Sequence, residues 1–137
     1  MSDELKWCPH CESDKSVDDF HKNRAAYGGR QGYCKECKYK ADREWMLQRR
    51  KENYGNVAIY LRSHPCVGCG EADIIVLDFD HQGDKVKSIS DMCNQGCPWS
   101  KIEAEIAKCE VVCKNCHYRR TVKQQNHPRH RMVEEMV

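Results

Sequence analysis

Apolar positions are sparse in this chain, and the places where they cluster define the elements it predicts. The run Ile74-Ile75-Val76-Leu77-Asp78-Phe79 is the strongest strand signal, rich in β-branched residues. Glu110-Val111-Val112 reads as a short second strand. Residues 41–62 read mainly as helix, with Trp45 and Met46 on an apolar face and Arg49 and Arg50 on a cationic one. Gly55 is expected to weaken or break that helix, and Ser63-His64-Pro65 closes it, because a residue before proline avoids the α region. Ser100-x-x-Glu103 has the form of a capping box, with Ile102 and Ile106 on one face of the helix it would open. Cys116 to about Gln125 reads as a basic helix. Residues 1–40 show little periodicity and are punctuated by Gly28, Gly29 and Gly32, which predicts a loop-rich knuckle.

Composition changes this picture in one respect. Of 137 residues, 32% are charged and only two are Phe, and mean hydropathy is −0.88, so the apolar core must be small. Eleven cysteines must then supply part of the stability. The first residues, MSDELKWCPH, lack a basic stretch followed by an apolar one, and no run approaches the roughly 18 apolar residues that span a membrane. The expectation is therefore a cytoplasmic protein without membrane partners. Its thiols would stay reduced, which favours metal over disulfides, as does the odd cysteine count.

The cysteines fall into C-x-x-C pairs. Cys8/Cys11 and Cys34/Cys37 are separated by 22 residues, and Cys66/Cys69 and Cys113/Cys116 by 43. Each pair forms a tight knuckle, and two knuckles close a four-cysteine zinc site with no open position. Two structural zinc ions are thus expected, one per pair of knuckles. Cys93, Cys97 and Cys109 lack a fourth partner and read as small core residues.

Charge is uneven. Lys114 to Arg131 holds six Lys/Arg and no acid, whereas Glu71 to Glu110 holds nine acids against four lysines. Basic blocks beside an acidic middle suit a polyanion-binding surface around a cation pocket. The second quartet gives that pocket a location. One knuckle leads into the strand ending in Asp80-His81, and the last cysteine is followed at once by His117. A carboxylate and an imidazole can hold a hard divalent cation with positions open for phosphate and water, and a second imidazole can activate the water. Arg119, Arg120 and Lys123 would contact the flanking phosphates of DNA.

Two other functions compete. Pro65-Cys66-x-x-Cys69 with His10-Cys11-Glu12 matches halves of a zinc deaminase signature, but that reading leaves two knuckles unused. A non-catalytic zinc module binding nucleic acid through its basic helices explains the cysteines and the charge, and leaves Asp80, His81 and His117 as coincidences.

LDFDH at 77–81 followed by CKNCH at 113–117 resembles the HNH endonucleases, and the opening WCPHCESDKSVDDFHKNRAAYGGRQGYCKECK resembles phage proteins related to recombination endonuclease VII. The resemblance implies an α+β chain: a four-cysteine zinc knuckle over 1–40, a connecting basic helix over 41–63, a zinc-stabilised ββα-metal nuclease domain over 64–127 and a tail over 128–137. It implies Asp80 and His117 as ligands of a catalytic Mg2+ or Mn2+, His81 as general base, and DNA, with phage packaging or recombination proteins, as partners. The family's central Asn usually stands nine residues before the final His, where this chain has Lys108; Asn115 is the nearby candidate for orienting the His81 loop. A further His ligand found in some members is replaced here by Thr121.

Overall fold

Buried apolar side chains gather in three small clusters, and each cluster ties one set of elements together in this computed structural model, which describes residues 4–137. The chain divides into two compact units, one ending at Gln48 and one starting at Arg49. It is mixed α+β, with two short antiparallel sheets of two strands each.

The first unit contains β1 (Leu5–Cys8) paired with β2 (Ser13–Ser16), so the segment expected to be loop-rich holds a hairpin. These strands were hidden because LKWC and SDKS lack apolar alternation. Their pairing follows from the Cys8–Cys11 knuckle, which turns the chain back with Glu12 at a positive φ of 50°. Phe20 is fully buried against Cys8 and Cys34. Arg30 ties the following loop down, donating to the Phe20 carbonyl at 2.9 Å and to Asp18 at 3.0 Å.

Helix α1 runs Lys35–Arg62, starting earlier than the predicted residue 41 and passing through Gly55 unbroken. Nothing lies within 4 Å of where a Cβ at Gly55 would stand, so that position is open, while Leu61 in the same helix packs on the core. Packing thus overrides a local cost of about 1 kcal/mol. The expected apolar face is not used as such: Trp45 is 58% exposed.

In the second unit the strand signal splits. Ile74–Val76 form a 3-10 turn, because Asp73 Oδ1 accepts the N–H of Ile75, and β3 is Leu77–His81. It pairs with β4 (Cys109–Cys113), register Leu77↔Cys113 through His81↔Cys109. Between them lie α2 (Ile89–Asn94), which the sequence did not announce, and α3 (Trp99–Ile106). Helix α3 begins after Pro98 rather than at a Ser100 capping box. Ile102 and Ile106 of α3 join Ile89, Met92 and Cys93 of α2 in one cluster, with Cys93 serving as a small core residue. A second cluster joins Leu61, Leu77, Val111 and Val112. Each fully buried aliphatic side chain contributes about 1.5–3 kcal/mol. Helix α4 (Lys114–Gln125) follows β4 directly, and α5 (Pro128–Glu135) occupies most of the segment expected to be a tail.

Candidate functional site

Two cysteine quartets stand out. In each of Cys8/Cys11/Cys34/Cys37 and Cys66/Cys69/Cys113/Cys116, the four sulfurs lie within 4.8 Å of one another. Cys8 and Cys37 sulfurs are 3.9 Å apart, and those of Cys69 and Cys113 are 3.7 Å apart. A disulfide needs about 2.05 Å. A tetrahedral zinc with bonds of about 2.3 Å separates its sulfurs by about 3.8 Å, so the donor set fits a structural metal ion. All eleven cysteines are free thiols.

Local backbone geometry favours the ionised form of one thiol in each quartet. The Cys34 N–H reaches Cys8 Sγ at 3.4 Å, and this bond, with others from the knuckle, lowers the Cys8 thiol to about 6. At Cys66, burial opposes ionisation, but N–H groups of Cys113, Cys69 and Gly68 outweigh it and bring the thiol to about 6. Gly68 is required by space: a Cβ there would stand 3.0 Å from Cys116 Sγ. Cys113 caps α4 with its own sulfur, which accepts the Cys116 N–H at 3.4 Å. Other quartet thiols shift the opposite way: contact with Cys34 pushes Cys37, and contact with Cys113 pushes Cys116, up to about 12. Burial pushes Cys93 and Cys109 up to about 11.

The second quartet holds β3 and the start of α4 together, and these elements carry the histidine–carboxylate cluster. His117, in the first turn of α4, stands between two acids of β3. Its Nδ1 lies 3.5 Å from Asp78 Oδ2, and its Nε2 lies 3.7 Å from Asp80 Oδ1. Both acids project from the same face of β3, as the two-residue strand period requires. Each also has a cation on its other oxygen. Lys114 Nζ reaches Asp78 Oδ1 at 3.0 Å, and Arg120 donates to Asp80 Oδ2 at 2.9 Å and to Glu110 at 2.7 Å. Those two contacts raise the Arg120 pKa above its ordinary value.

His81 points away from Asp80. The register remains one-to-one up to His81↔Cys109, so no bulge realigns the strand end. His81 Nε2 meets Glu105 Oε1 of α3 at 3.0 Å. Glu105 also accepts from Lys108 Nζ at 2.8 Å and from the Val86 N–H at 3.0 Å. Lys108 foremost, with Val86 and His81, holds the Glu105 carboxyl down to about 2 against the opposing effect of burial. His81 and His117 nonetheless line one cleft of about 320 Å³, together with Asp78, Phe79, Lys85 and Ile89. Asp80 is not one of its walls.

The remaining candidates fall elsewhere. Asn115 is exposed in the first turn of α4. The loop after His81 is held instead by residue 108: its Nζ donates to the Asp84 carbonyl at 3.3 Å, and its carbonyl accepts from the Gln82 N–H at 3.0 Å. Arg119 is exposed and Arg120 half-buried, while Lys123 is exposed on the last turn of α4. Sequence reasoning missed Asp78 and Glu105. The alternation Asp78-x-Asp80 signalled the first; a Glu between Ile102 and Ile106 on an apolar helix face signalled the second.

Comparison with family models, with curated proteins and with solved structures gives no match for this chain.

Proposed function

We propose that this chain is a metal-dependent DNA endonuclease of the HNH type, with a ββα-metal site formed by β3, β4 and α4. The observation that carries the reading is the approach of His117 Nε2 to Asp80 Oδ1 at 3.7 Å, beside a cysteine quartet that clamps both segments. Two ligands of one octahedral cation, each about 2.1 Å from it, stand roughly 3–4 Å apart, so this pair fits a divalent ion such as Mg2+ or Mn2+. The bound cation would supply electrostatic stabilisation of the charge growing on the leaving 3′ oxygen.

The chain's own side chains divide the remaining work. Asp78 accepts the Nδ1 proton of His117 and leaves Nε2 facing Asp80, as a carboxylate behind a metal-ligating imidazole does elsewhere. His81 takes a proton from the attacking water as its oxygen bonds to phosphorus. The P–O3′ bond breaks, and the 3′ oxygen leaves as a hydroxyl after protonation from solvent. Lys108 substitutes for an asparagine in holding the loop beyond His81. Arg119 and Lys123 contact flanking phosphates, and zinc in both quartets is structural.

A second reading, a non-catalytic zinc module that binds nucleic acid, draws support from Arg120, whose guanidinium occupies the second oxygen of Asp80. Linear, nicked and branched DNA incubated with Mg2+ or Mn2+ separates the two. Cleavage by wild type and its loss in His81→Ala supports the nuclease; DNA binding with equal, negligible cleavage by both proteins supports the module.

A further inference from the structure

Among the described residues, Glu105 is the only charged residue that is buried, at 3% exposure, and it sits on the apolar face of α3. Such a position is unfavourable for a carboxylate unless its lone pairs are used. Here the donors are Lys108 Nζ, the Val86 N–H and the imidazole of His81. We propose that Glu105 is the positioning residue of the site: it fixes the proton of His81 on Nε2 and leaves the unprotonated Nδ1 as the base that accepts the water proton. This inference rests on the nuclease reading given above.

Donors and acceptors place the proton. An ionised carboxylate has only acceptors, so the hydrogen in the 3.0 Å contact belongs to His81 Nε2. Ionisation is secured by Lys108, and by the other donors that hold the carboxyl down to about 2. A neutral imidazole with hydrogen on Nε2 has its lone pair on Nδ1, which is the form a general base requires. Glu105 also fixes the ring's surroundings. The same Oε1 accepts the Val86 N–H, and Lys108 bridges Glu105 to the Asp84 carbonyl, so one carboxylate anchors both the imidazole and the loop beside it. A purely structural role would need no contact with the ring.

The test uses the zinc-loaded full chain and two readouts. Nitrogen-15 NMR of the histidine rings, above the pH at which imidazole titrates, is expected to show His81 in the Nε2–H form in wild type and a mixture or the Nδ1–H form in Glu105→Gln. A wild-type ring in the Nδ1–H form, or a spectrum unchanged by the substitution, overturns the proposal. In plasmid nicking with Mn2+, Glu105→Gln is expected to lower kcat by about 10- to 100-fold with KM little changed. It is expected to cost nothing further in a His81→Ala background, whereas a general loss of folding would add to the His81→Ala defect. A Glu105→Gln enzyme as fast as wild type overturns the proposal. Wild type that does not cleave overturns the nuclease reading instead, and the ring spectrum still decides whether Glu105 sets the tautomer.

Discussion

His117 offers Nε2 to Oδ1 of Asp80 at 3.7 Å, although one residue begins a helix and the other lies near the end of a strand. The Cys66/Cys69/Cys113/Cys116 quartet makes this meeting possible, since Cys113 ends β4 and caps α4. The cluster therefore depends on the cysteine quartet, and neighbouring groups tune it.

Asp78 is expected to act through His117. Asp78→Asn should weaken Mn2+ binding by about 10- to 100-fold, read by electron paramagnetic resonance of the free ion. Unchanged Mn2+ affinity would remove Asp78 from the site.

The two arginines of α4 should behave differently. Arg119→Gln is expected to reduce DNA binding evenly across sequences and to lower the salt slope by about one. Arg120 instead holds Asp80, so Arg120→Gln should lower the Mn2+ concentration that half-saturates the site, because a competing positive charge has gone. If the two variants gave the same salt slope and the same Mn2+ dependence, the distinction would be lost.

Removing zinc should unfold the second unit rather than merely slow it. Elemental analysis is expected to find two zinc ions per chain, and Cys69→Ser to retain one. A chelator should then abolish the circular dichroism of the helices. Full zinc content in Cys69→Ser would contradict the quartet assignment.

Glu105 also sets a pH dependence of stability. Its carboxyl is held down to about 2, below the ordinary 4.5, so its ionised contacts stabilise the fold fully above about 4.5. That contribution is lost as pH falls from about 4.5 towards about 2. The stability gap between wild type and Glu105→Gln in denaturant titrations should therefore be constant above that window and shrink within it. A gap that widens on acidification would reverse the sign.

Sequence made the cysteine knuckles legible because C-x-x-C spacing is local. The 3.9 and 3.7 Å sulfur contacts join different knuckles, 29 and 44 residues apart, and come from the fold. It also located β3, β4, α3 and α4, where apolar or basic runs are strong. It was less informative where tertiary packing decides. Gly55 remains helical because Leu61, two turns on, is anchored in the core. The hairpin of β1 and β2 has no apolar pattern and depends on its knuckle. In the cluster, Asp80, His81 and His117 were legible as a set, and so was the placing of Asp80 and His81 on opposite faces. The strand-end distortion that would bring the two to one side is not present in β3. Strand alternation puts His81 towards Glu105, a partner that only the packing of α3 brings near.

The most direct measurement is nicking of supercoiled plasmid with Mg2+ or Mn2+ by wild type, Asp80→Asn and His81→Ala, with DNA binding followed in parallel. Wild type is expected to convert supercoiled to open-circular DNA only with the divalent ion. His81→Ala should bind DNA equally and cut about 100- to 10,000-fold more slowly. Cation-independent nicking, or equal rates in all three proteins at equal DNA binding, would contradict the account.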